Sequence, residues 1–222
     1  MPYNTLYSKI MNIIRRPFRY RNDNIVFFII GINILIFAAT YLLGPDVRRF
    51  LVFRMSMVPF LVLNGWIWTF ITYMFMHGGI SHVLFNMFGL FIFGRQVEYQ
   101  MGSREFLLYF FLTGALAGIF SFFVYLSTGN YWVALMGASG ALYAVMLAYA
   151  VFFPDSIIYI WGILPLRAPV MVLGFTALEL FFSVSGGRGN VAHLTHLAGF
   201  GFGWLYFLIR FRINPLQRLL GR

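Results

Sequence analysis

The sequence predicts an all-α membrane protein: six membrane-spanning helices in one domain, with an interfacial helical loop between the first and second. Three observations carry this. Of 222 residues, 61% are hydrophobic and 10% charged, against about 45–50% and about 25% in a typical soluble domain. The apolar residues fall into blocks of about 20, the length that crosses a hydrocarbon core. The basic residues, which leave a net charge of +10, flank those blocks. Such placement matches anionic headgroups and the preference of Lys and Arg for the cytoplasmic side, so the bilayer is the expected partner and nucleic acid is not.

Cysteine is absent, which removes disulfides and thiolate metal sites. The chain starts with a basic segment, residues 1–24, containing Lys9, Arg15, Arg16, Arg19 and Arg21. The run that follows, IVFFIIGINILIFAATYLLG, is longer than the apolar region of a cleaved signal and is read as a retained first span, 25–44. The remaining spans are expected at 79–97, 105–127, 137–153, 168–185 and 190–210. Residues 45–77 are too polar and interrupted to span. They suit helices in the membrane interface, anchored by Trp66 and Trp68. Pro154 and Pro165 break the backbone between spans 4 and 5. The expected division is a cytoplasmic N-terminal segment (1–24), a six-span domain (25–210) and a basic cytoplasmic tail (211–222). With the N-terminus inside, twelve basic residues face the cytoplasm and four (Arg48, Arg49, Arg54, Arg188) face out, which favours both termini inside. A short chain without an appended soluble domain points to a bacterial plasma membrane and leaves organelle membranes open.

Spans 2, 4 and 6 then all enter from the outer face, and residues early in each share a depth at about 1.5 Å per residue. All four histidines, His77, His82, His193 and His196, sit at the outer starts of spans 2 and 6, and Ser139 sits at the outer start of span 4. Polar groups in hydrocarbon are costly and mark function when they converge. His82 and Asn86 are four apart and line one helical face, where both can donate hydrogen bonds to an oxyanion. The plainer reading of that pair alone is a polar clamp between helices. On span 6, Gly199 and Gly203 make a flat face bordered by His196. If Gly137 and Gly140 of span 4 pack there, Ser139 comes within reach of His196, which gives a serine activated by a neighbouring base. Tyr143, four after Ser139, lies on the same face, where it either holds the imidazole or simply packs.

Of the six acids, none lies near the outer ends of spans 4 or 6, so a Ser-His-Asp triad lacks its third member. Glu179, in span 5, is the one intramembrane carboxylate. It is assigned to a local polar contact or a protonated state rather than to orienting His196, and a Ser-His dyad is the reading. G-x-S-x-G and H-E-x-x-H are both absent. Four histidines could bind a metal or haem, but no thiolate or carboxylate is suitably placed to join them, so no metal or cofactor is expected.

At this point the sequence resembles the rhomboid intramembrane proteases, from about Leu63 to Leu208. The family's G-x-S-G is matched by Gly137-Ala138-Ser139-Gly140. Its His, His five later and Asn four after that are matched by His77, His82 and Asn86. Its A-H-x-x-G-x-x-x-G is matched at His196, Gly199 and Gly203, with Thr195 for the alanine. Gly94, Glu98, Gly102 and Ser103 match a further run that ends span 2. The order and spacing of these motifs together are what make the match specific.

The resemblance implies a six-span rhomboid-like bundle with a Ser139–His196 dyad. It implies an oxyanion site made by His82, Asn86 and the Ser139 amide, and Tyr143 stacked on His196. Substrates would be membrane-spanning proteins, cut near the outer end of their span. The family often has Trp-Arg in its first external loop, whereas Thr69 follows Trp68 here. His193 offers a second base, but spacing to Gly199 and Gly203 favours His196, since His193 lies on a face about 60° away. The alternative function is a non-catalytic rhomboid-like protein that binds membrane clients, which loss of Ser139 or His196 would have signalled.

Overall fold

The computed structural model describes residues 15–16, 18–160, 162–185 and 190–221. Lys9, Arg188 and Arg222, used above to orient the chain, lie outside them. The order is α1 (Ile25–Leu42), the short helices α2 (Pro45–Met55), α3 (Pro59–Leu63) and α4 (Thr69–Thr72), then α5 (Ile80–Met101), α6 (Ser103–Ser127) and α7 (Ser139–Phe152). A hairpin of β1 (Ile157–Ile160) and β2 (Leu164–Arg167) leads to α8 (Ala168–Val184), α9 (Asn190–Tyr206) and a terminal α10 (Pro215–Leu219). Helices α1, α5 and α6 are each long and apolar enough to cross a membrane, while α7 and α8 are shorter apolar helices.

The hairpin adds strand to a chain expected to be all helix. Pro154 and Pro165 bar a helical connection, and Ile157 pairs with Arg167 through to Ile160 with Leu164 in antiparallel register. Pro165 sits on a two-stranded ribbon, where a missing N–H is tolerated.

Helix α7 is the core. Ala141, Ala144, Val145, Leu147, Ala148 and Ala150 are all fully or almost fully buried, and α6 and α9 pack against it. Its small side chains let those helices approach closely. At 14 residues it is about 21 Å long, against about 30 Å of hydrocarbon, so its first residue lies inside the bilayer if its last reaches the opposite surface. Leu35, Phe88 and Phe181 are more than half exposed on α1, α5 and α8. An apolar exterior of this extent belongs against lipid.

The first turn of α1 is capped from another helix. Glu98 of α5 accepts hydrogen bonds from the Ile25 and Val26 amides at 2.7 and 3.0 Å, satisfying donors that have no partner within the helix. Ser103 donates to the same carboxylate and accepts from the Asp23 amide. This gives Glu98 and Ser103 a structural role.

In the segment before α5, Trp66 and Trp68 stack at 5.2 Å, and Arg54 of α2 lies 4.8 Å above the Trp66 ring. Trp68 Nε1 donates to the Arg54 carbonyl at 3.0 Å. Arg54 thus supplies cation–π anchoring, and Thr69, fully buried, turns inward to donate to the Trp66 carbonyl. The segment is stitched to the one before α7 through Met57 and Leu135, and through the Gly137 amide on the Tyr73 carbonyl.

Candidate active site

Ser139 opens α7, and the turn before it is set by Gly137. There φ is +115° and an added Cβ would lie 2.6 Å from His82 Nε2, so glycine is required both by conformation and by space. This corrects the expectation that Gly137 packs on span 6, since it precedes the helix and faces His82. Gly140 does pack there: a Cβ on Gly199 would sit 1.9 Å from the Gly140 carbonyl oxygen. Gly203 meets Ala144 and the Tyr109 hydroxyl instead.

The Gly140–Gly199 contact sets α7 against α9 so that Ser139 Oγ lies 2.7 Å from His196 Nε2. Tyr143 lies flat on the imidazole, with centroids 4.5 Å apart and planes 7° from parallel. His82 accepts from the Gly78 amide at Nδ1 (3.4 Å), which leaves its N–H at Nε2, the atom nearest Gly137. A donor therefore faces the turn that presents Ser139. Asn86 is buried and gives one amide N–H back to the His82 carbonyl at 2.8 Å, leaving a second N–H. The Ser139 backbone amide belongs to the first turn of α7, where donors have no intrahelical acceptor.

His77 lies at the edge of this group, 3% exposed, its ring centroid 5.0 Å from that of His82. Neither of its ring nitrogens meets a side-chain partner among the described residues. Burial, and then the neighbouring His82, push its pKa down to about 4.

The structure corrects the reading of Glu179. Its Oε1 is 3.0 Å from His196 Nδ1, its Oε2 is 2.5 Å from His193 Nδ1, and Tyr143 donates its hydroxyl to Oε1. A carboxylate therefore stands behind His196 after all. It was missed because depth was judged on spans entering from outside. Helix α8 runs the opposite way, so its last residues, not its first, share the depth of Ser139. Glu179, His193 and His196 bring ligand atoms within 4.8 Å of one another, near enough to share a cation. This corrects the expectation that no carboxylate is placed to join the histidines: Glu179 meets the Nδ1 of each through a different oxygen. Thr195, in place of the expected alanine, bonds Ser121 of α6 at 2.6 Å.

A family model described as the rhomboid domain matches residues 64–213. The chain belongs to the rhomboid family. Among similar proteins, rhomboid protease GlpG of Haemophilus influenzae is 32% identical over 68% of this chain and 74% of its own length. RHOMBOID-like protein 12, mitochondrial, of Arabidopsis thaliana is 32% identical over 61% of this chain, which spans 44% of that protein. Putative rhomboid protease YdcA of Bacillus subtilis is 29% identical over 65% and 67%. Rhomboid relatives thus occur in bacteria and plants, and the apolar helices of this rhomboid make it a membrane protein.

Proposed function

We propose that this rhomboid is an intramembrane serine endopeptidase that cuts transmembrane segments of membrane-protein substrates, with Ser139 as nucleophile and His196 as base. The 2.7 Å contact between Ser139 Oγ and His196 Nε2 carries the reading. His196 takes the Ser139 proton as Oγ attacks the scissile carbonyl. The oxygen that gains charge is stabilised by His82 Nε2–H, the Ser139 amide and the free N–H of Asn86. His196 returns the proton to the leaving amine, and water deacylates the serine by the same route. Tyr143 keeps the imidazole plane fixed.

Six spans, with both termini in the cytoplasm of a bacterial plasma membrane, complete the reading. Helices α1, α5 and α6 to α9 supply the spans, with 1–24 and 211–222 as basic flanks and no cofactor. Purified protein is expected to label with a fluorophosphonate probe and to cleave a reconstituted spanning substrate. Ser139→Ala is expected to abolish both. Labelling that persists in Ser139→Ala sinks the assignment, and folded wild type that binds membrane clients without labelling makes the chain a non-catalytic rhomboid-like protein.

A further inference from the structure

The Ser139–His196 pair does not end at the imidazole. We propose that Glu179 is the third member of the site, a positioning residue that holds His196 in its base-competent tautomer and steadies the imidazolium formed during attack. The proposal rests on the Ser139–His196 reading above and adds an acid from a third helix.

Three side chains from two other helices converge on the carboxylate. His196 and His193 come from α9 and Tyr143 comes from α7, each meeting an oxygen of Glu179. An ionised carboxylate only accepts, so the nitrogen of His196 that faces it must carry the proton. A neutral imidazole has one N–H, so with Nδ1 protonated the lone pair is left at Nε2, the atom 2.7 Å from Ser139 Oγ. That is the tautomer a general base needs, and the carboxylate selects it. When the serine proton arrives, His196 becomes a cation 3.0 Å from Glu179 Oε1. The ion pair exists only once charge has developed, which favours the transition state over the ground state.

The rest of the cluster fits the same role. The Glu179 side chain is 11% exposed, where an unpaired charge would be costly, and three donors compensate for the lost water. Tyr143 both stacks on the ring and donates to Oε1, fixing imidazole and carboxylate together. His193 holds Oε2, which leaves Oε1 aimed at His196. The titratable groups facing His196 are Glu179 from α8, Tyr143 from α7, His193 from its own helix and His82 from α5.

The test is the pH profile of fluorophosphonate labelling, with kcat and KM for a spanning substrate, in wild type, Glu179→Gln, Glu179→Asp and His193→Ala. In Glu179→Gln, labelling rate and kcat are expected to fall on the order of 10²- to 10⁴-fold with KM unchanged. The acid limb of its profile moves to lower pH, because the imidazolium has lost its neighbouring carboxylate. Glu179→Asp restores part of the rate. His193→Ala leaves the Glu179–His196 contact but removes a donor from the carboxylate, so its acid limb moves to higher pH. A purely structural glutamate would lower labelling by the same factor at every pH, in step with thermal stability, and that result overturns the proposal. So does Glu179→Gln labelling at the wild-type rate while Ser139→Ala stays silent, which leaves the serine protease intact and removes only the acid. Wild type that fails to label at all takes down both.

Discussion

Two buried carboxylates, at opposite ends of the bundle, meet the same physical difficulty with different partners. Glu105 at the start of α6 is 3% exposed and is met by Arg210 through two hydrogen bonds, at 2.6 and 2.7 Å, and by the Tyr206 hydroxyl. Glu179, near the end of α8, meets two imidazoles and a tyrosine, and its partner His193 is 31% exposed. Arginine keeps its charge at every accessible pH and grips a carboxylate through a fixed fork. Imidazole changes charge near neutrality and chooses between two tautomers. One cluster is a lock between α6 and the segment after α9. The other is built from groups that change charge and tautomer near neutrality, as the proposed proton transfer requires. Burial alone does not separate a structural ion pair from a chemical one, whereas the kind of cation does.

The comparison predicts its largest stability effect at the lock. Arg210→Met leaves the Glu105 charge buried with the Tyr206 hydroxyl as its remaining partner among the described residues, and thermal or denaturant unfolding in detergent should show a loss of about 3–5 kcal/mol. Pairing it with Glu105→Leu should recover most of that loss, because both desolvated charges are then gone. The pH profile of Ser139 labelling in the folded fraction should not move in either variant. A shifted profile would mean that the two ends are electrically coupled, and the division drawn above would fail.

The end that carries Ser139 is also where acid sensitivity should concentrate. His77 has a folded pKa of about 4 against 6.5 in the unfolded chain. Its neutral form is favoured by folding, so this contribution is full above about pH 6.5 and is lost as pH falls toward 4. The shift corresponds to stability on the order of 3 kcal/mol. His77→Leu should flatten the fall in melting temperature between pH 6.5 and 4 relative to wild type. An unchanged slope would place the acid sensitivity elsewhere.

Much of this was legible before the structure. Ser139, His82 and His196 stood out because the expected spans 2, 4 and 6, read as entering from one side, would place rare polar residues at one depth, and helical periodicity then put Asn86 and Tyr143 on the matching faces. What escaped detection depended on features that sequence spacing does not encode. Glu179 reaches the site on a helix running the other way, so counting from helix starts placed it wrongly. Gly137 sits in a small-residue run that reads as packing, yet its positive φ and its contact with His82 arise from how the preceding segment is pinned to Tyr73. Glu98 caps a helix more than 70 residues earlier in the chain, and no local pattern announces such a partner.

Thr195 sharpens the comparison at its fine end. It stands beside His196 where the resemblance expected alanine, and its fully buried hydroxyl bonds Ser121 of α6 at 2.6 Å, while Ser121 also donates to the Ala117 carbonyl. A hydroxyl pair between membrane helices contributes about 1 kcal/mol. Thr195→Ala should lower unfolding stability by about that much and leave the Ser139 labelling rate within about twofold of wild type, because the Gly140–Gly199 contact, rather than the hydroxyl, sets the distance between α7 and α9. If labelling falls tenfold or more with the same modest stability change, the Ser121–Thr195 bond is setting the placement of the His196 ring, and α6 joins the elements that align the site.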